Sequence, residues 1–153
     1  MDYCSSPEEL KQNPQAHAWM LKMSNGNVAA FEFMKCFWSF THMYDDLVDR
    51  DKPVSSEVAG EHLIEMIRQF LFNDFFCQHK TLLFPLLVST VNRWVDGDEW
   101  EASSDPHKRA AATFVRCGDV DLYHFIAYLT GGWDLMRQTK GARAYDQDKP
   151  KQE

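Results

Sequence analysis

The sequence predicts an all-α protein, an antiparallel bundle of about five helices, and three observations carry that prediction. Apolar residues recur every three or four positions over long stretches, while no segment alternates apolar and polar residues like a half-buried strand. Only seven glycines and six prolines punctuate 153 residues, too few for a turn-rich all-β chain. The stretch from about residue 27 to 49 is apolar nearly all round, which marks a central helix with neighbours on most sides. The length suits a single domain, residues 1–153.

The elements follow in order. Residues 1–14 read as an irregular arm. A short helix over Gln15–Met23 stops at Asn25-Gly26, a pair suited to the left-handed turn after a helix. The second helix carries Phe31, Phe33, Phe37, Trp38 and Phe40, read as packed core. One polar stripe crosses it, Glu32, Lys35, Ser39, His42, Asp46 and Asp49, in steps of three and four. Asp51-Lys52-Pro53 ends it, since the residue before a proline avoids the helical region.

The third helix starts at Ser55 or Ser56, with Glu57 in its first turn, and ends around Phe76–His79. Its buried face is expected to hold Val58, His62, Leu63, Met66 and Phe70, with Glu61, Glu65, Arg68 and Gln69 outside. The fourth spans roughly Leu83–Trp100, with Pro85 confined to its first turn. Leu87, Val91, Trp94 and Val95 form its core side, and Ser89, Asn92, Asp96 and Glu99 its polar stripe. The fifth starts at Asp105-Pro106 and keeps one period straight through Gly118. It reads as one long helix, weakened or broken at Gly131-Gly132. Residues 139–153 read as a charged, flexible tail.

Composition narrows the function classes. A net charge of −7 argues against nucleic acid or an anionic membrane as partner. The longest uncharged runs, Thr81–Asn92 and Leu122–Trp133, are too short to span a bilayer. The four cysteines, Cys4, Cys36, Cys77 and Cys117, form no C-x-x-C, so a zinc ribbon or redox dithiol is not expected. Cysteines in apolar contexts read as reduced, and the N-terminus has no signal-peptide core, so a soluble, cytoplasmic protein is expected. No P-loop, G-x-S-x-G or H-E-x-x-H occurs.

The candidate site comes from topology. Short connections favour antiparallel neighbours. The second helix then ends, the third begins, the fourth ends and the fifth begins at one mouth of the bundle. Asp45, Asp46 and Asp49 arrive there from the second helix, at positions i, i+1 and i+4 on one side. Asn92, Asp96 and Glu99 arrive from the fourth. Magnesium takes hard oxygen ligands and is usually held by one or two carboxylates plus substrate phosphates. These six residues are the expected metal ligands, and Lys108, Arg109 and Arg50 the expected contacts to phosphate oxygens. Such ions neutralise a departing diphosphate or activate a water to attack it.

The stretch Tyr44-Asp45-Asp46-Leu47-Val48-Asp49 resembles the first aspartate-rich motif of the class I isoprenoid synthases, the trans-prenyltransferases and terpene cyclases. The resemblance implies an all-helical fold, with magnesium held by Asp45, Asp46 and Asp49 and a diphosphate ester as substrate. It covers roughly twenty-five residues around the second helix. That family's second motif is another D-D-x-x-D or an N/D-D-x-x-S/T-x-x-x-E. The nearest stretch here, Asn92-Arg93-Trp94-Val95-Asp96-Gly97-Asp98-Glu99, departs from both. Asn92, Asp96 and Glu99 are therefore nominated by their shared helical face.

Two further readings stand beside this one. The second is a non-catalytic helical interaction or accessory protein that forms a homodimer or docks a protein partner, motivated by the apolar coverage of the second helix. The third is an all-α nucleotide pyrophosphohydrolase, whose sites favour E-x-x-E and E-x-x-D spacings that this sequence lacks.

Overall fold

The computed structural model describes residues 13–50 and 52–142. Most of the expected arm and tail, and Asp51, lie outside the described residues. Among the described residues there are six α-helices: α1 Pro14–Ser24, α2 Val28–Asp49, α3 Ser56–Phe72, α4 Asp74–Glu101, α5 Pro106–Arg116 and α6 Gly118–Gln138, followed by a 3-10 turn at Lys140–Ala142. No strand occurs among the described residues, so the chain is all-α as expected. It falls into two compact units divided between His79 and Lys80.

In the N-terminal unit, local signals set the helix starts. Asn13 Oδ1 accepts from the Ala16 amide at 3.0 Å, and Pro14 takes the first helical position, where no N–H is needed. Pro14, assigned to the arm, is thus helical. Asn25 and Gly26 close α1 with φ of 48° and 81°. Asn27 Oδ1 caps α2 through the Ala30 amide at 2.9 Å, and Ser55 Oγ caps α3 through the Val58 amide at 3.2 Å.

α2 and α3 run antiparallel: Asn73 donates to the Ala29 carbonyl at 2.9 Å, and Cys36 Sγ lies 3.5 Å from Met66 Sδ. Between these contacts Phe33, fully buried, stacks on Phe76 at 5.1 Å and meets Phe70 at 6.4 Å. The buried part of α2 runs from Ala30 to Thr41; beyond it Leu47, Val48 and Asp49 are exposed.

α3 is rotated from the expectation without being reversed: Met66 is buried, Phe70 packs on Phe33 and Phe76, and Glu61 and Arg68 lie outside as expected, but other positions differ. Glu65 and Gln69 are buried, at 6% and 2% relative exposure, beside Met66. Val58 and Leu63, expected inside, are exposed, as are Ile64 at 67% and Leu71 at 60%. The reason is a polar network that satisfies the inward groups. Gln69 donates to Glu65 at 2.9 Å, Arg68 Nε donates to Glu65 at 2.7 Å, and Asn73 donates to Gln69 at 2.7 Å. Anchoring to Ala29 of α2 fixes this face inward.

Asn73 also explains a boundary. The third helix was expected to reach Phe76–His79 and the fourth to begin at Leu83. Instead α3 stops at Phe72, and Asn73 Oδ1 accepts from the Phe76 amide at 2.9 Å, opening α4 at Asp74. Pro85 consequently sits inside α4, not in its first turn, where it supplies no N–H to the carbonyl four residues earlier.

In the C-terminal unit, α4 runs antiparallel to α5 and meets α6 where the two join. Thr90 Oγ1 donates to the Gly118 carbonyl at 3.2 Å, and Arg116 Nη2 donates to Asp98 at 2.7 Å. Leu83 and Leu87 are buried and Trp94 half-buried, but Val91 and Val95, expected in the core, are exposed. The single long fifth helix is two. At Cys117 the backbone leaves helical geometry (ψ 34°), and the Arg93 guanidinium takes the carbonyls released there, Val115 and Phe114, both at 2.9 Å. A cation on the last carbonyls of α5 is also favoured by the helix dipole.

The expected break at Gly131-Gly132 is present. Gly132 has φ 76° and ψ −169°, a conformation open to glycine alone, and a Cβ on Gly131 would fall 2.4 Å from Leu135 Cδ2. The chain turns back there, so that the Thr139 carbonyl lies 2.8 Å from His124 Nε2. Thr139 is fully buried, and Lys140–Ala142 form a 3-10 turn.

Candidate functional site

The first expected ligand set stands at the C-terminal end of α2. Asp45 and Asp49 are exposed, Asp46 is half-buried, and Lys52 Nζ lies 3.7 Å from Asp46 Oδ1. Arg50 is exposed and closes α2 in the left-handed region (φ 59°). This is the least buried stretch of α2, and three acids crowd the negative end of its dipole. A dication there would have to compete with Lys52 for Asp46.

The second set lies in the C-terminal unit. Asn92 Nδ2 donates to Asp96 Oδ2 at 2.9 Å, one turn apart on α4, and Glu99 is exposed farther along the helix. Neighbouring acids meet arginine: Arg116 Nη2 contacts Asp98 and Glu101. Burial pulls the Arg116 pKa down, but the bonds and charges of Glu101 and Asp98 outweigh it and hold the guanidinium above its ordinary value. Lys108 and Arg109 are exposed in the first turn of α5, and Arg109 Nη1 donates to the Ser103 carbonyl at 2.7 Å. Within each unit, among the described residues, no three His, Cys, Asp or Glu side chains are gathered to hold a metal ion.

Two histidine rings, His42 and His124, meet backbone carbonyls. His42 Nδ1 donates to the Trp38 carbonyl at 2.8 Å and its ring lies 3.9 Å from the Trp38 ring. Asp121 pairs with Arg93, and His124 with Thr139, so the D-x-x-H spacing on α6 joins two separate structural contacts.

The feature that sequence reading missed is apolar. On α3, Gly60, Ile64, Ile67 and Leu71 follow one another at steps of four, three and four, and the three large residues are exposed. On α4, Phe84, Val88, Val91 and Val95 repeat the same steps and are all exposed. Each row lies on one side of its helix, as in the seam of a coiled coil. The signal was legible as spacing. Which face pointed inward was not, because the inward polar face of α3 depends on Asn73 reaching Ala29 on another helix.

What the arrangement can do chemically is therefore twofold. Within each unit the carboxylates offer partly ion-paired oxygens, and each row by itself offers exposed apolar side chains to another helix. No helix of the described residues is long and apolar enough to cross a membrane. No family model, curated protein or solved structure matches this chain.

Proposed function

We propose that this protein is a helical interaction module that docks a protein partner through the apolar rows of α3 and α4. One observation carries the reading: α3 buries Glu65 and Gln69 while presenting Ile64, Ile67 and Leu71 to solvent. A helix left to itself would roll to hide its apolar side. Here the inward face is tied by hydrogen bonds to Glu65, Gln69 and Ala29, so the outward face stays available. Contiguous exposed apolar surface of this kind is typical of protein-docking sites. The row on α4 supports the same reading with a second surface of the same spacing.

The test is to make each row polar, in Ile64→Lys/Ile67→Lys and in Val88→Lys/Val91→Lys. Both variants are expected to keep the parent's helical circular dichroism and a Tm within a few degrees, and to lose binding of a surface-apolar dye. Unfolding of either variant would mean that its row is interior packing, and the docking reading for that row would fall.

A further inference from the structure

We infer that the row on α3 docks a second copy of this chain, the two α3 helices lying antiparallel across a two-fold axis. The inference rests on the interaction reading above and names its partner. Turned about a point midway between Ile64 and Ile67, the row maps onto itself. Ile64 meets the partner's Ile67, and Gly60 meets the partner's Leu71. Isologous pairing of this kind closes after two copies.

Shape supports the pairing. A glycine within a helix is destabilising relative to alanine, and the close approach of a neighbour is a physical reason for one. Gly60 has none among the described residues, since a Cβ there would meet nothing within 4 Å. The reversed pairing supplies the reason: Leu71, exposed and eleven residues on, seats its side chain over the gap at Gly60 of the other copy. A parallel pair would set Gly60 against Gly60 and leave that gap unfilled.

Charge supports it independently. Glu61 and Arg68 are exposed on the same flank of the row. Reversal brings Glu61 within two residues, about 3 Å along the axis, of the partner's Arg68, and does so twice per dimer. Arg68 already meets Glu65 of its own helix, and its five donors allow it to span both carboxylates. A parallel pair would put the two copies of this flank on opposite sides of the seam and bring no Glu61 to an Arg68.

The test is sedimentation velocity from about 1 to 300 µM, a range suited to an interface smaller than the ~1,200 Å² of standard complexes. The parent is expected to pass from monomer to dimer. Gly60→Leu should weaken dimerisation at least tenfold while leaving Tm at the dilute end equal to the parent's or higher, since its side chain enters open space in the single chain. Gly60→Leu/Leu71→Ala, which moves the bulky residue to the other side of the same contact, should restore the dimer. Glu61→Arg should weaken it as well. A parent that stays monomeric at the highest concentration, or a Gly60→Leu chain that dimerises like the parent, overturns the pairing. In that event, polar-row variants that still fold leave docking of a different partner standing; variants that unfold remove both readings.

Discussion

Gln69 Nε2 donates to Glu65 Oε1 at 2.9 Å in the interior of the N-terminal unit, one turn apart on a helix whose isoleucines face solvent. The polar pair holds the helix in its unusual rotation. Interior polar networks are stable only when their members are satisfied, so this one is vulnerable at each link.

Gln69→Leu removes the donor to Glu65 and the acceptor for Asn73. It is expected to lower unfolding free energy by roughly 1–3 kcal/mol, because buried polar groups lose partners. Leu63→Ala, at an exposed position, should fall within about 0.5 kcal/mol of the parent. Urea titration of both variants checks the order, which is opposite to the one a conventional amphipathic helix gives.

Arg93 joins three groups: the Val115 and Phe114 carbonyls at the end of α5, and Asp121 in the first turn of α6. Arg93→Ala should destabilise the chain by about 1–3 kcal/mol. Arg93→Lys should recover little of that loss, since one ammonium cannot reproduce a planar fork over three acceptors. Equal stability of the lysine variant and the parent would show that charge alone suffices at this break.

Gly132→Ala forces a Cβ into a backbone conformation at φ 76° and ψ −169°. A loss of roughly 1–3 kcal/mol is expected. Gly60→Ala is the control, with open space and helical geometry, and should gain up to about 1 kcal/mol in dilute solution. Thermal melts at low concentration separate the two.

Phe33 sits among Phe37, Phe70 and Phe76 with no exposed surface. Phe33→Ala should cost about 3–5 kcal/mol through the cavity it leaves, read from the shift in denaturant midpoint.

Millimolar Mg²⁺ is the direct measure of Asp45, Asp46 and Asp49. On the interaction reading these residues form a solvated helix end, and Tm stays put when the salt is matched for ionic strength. A rise of several degrees that disappears in Asp45→Asn/Asp49→Asn would instead assign the end of α2 to a dication, since a ligand of the native state stabilises it by mass action.

Much of the fold was legible in the sequence because its signals are local. The stop at Asn25-Gly26, the cap at Ser55, Asp105 before Pro106 and the break at Gly132 each need only neighbouring residues. The errors came where a distant side chain decides. Asn73 ends α3 through Ala29, forty-four positions away, and Arg93 ends α5 from α4. The orientation of α3 was misread for the same reason: both of its faces carry apolar bulk, and only the partners of Glu65 and Gln69 choose between them. The spacing that nominated Asp45, Asp46 and Asp49 describes one side of one helix and carries no information on what faces it.

Asn73 is also a point at which chemical ageing can act on the N-terminal unit. Its amide nitrogen serves Ala29 and Gln69 while its oxygen holds the Phe76 amide, so α2, α3 and α4 share a single side chain. Spontaneous hydrolysis of that amide to an acid would keep the shape and the acceptor but abolish both donations. Damage of about one atomic mass unit would then loosen three rods together.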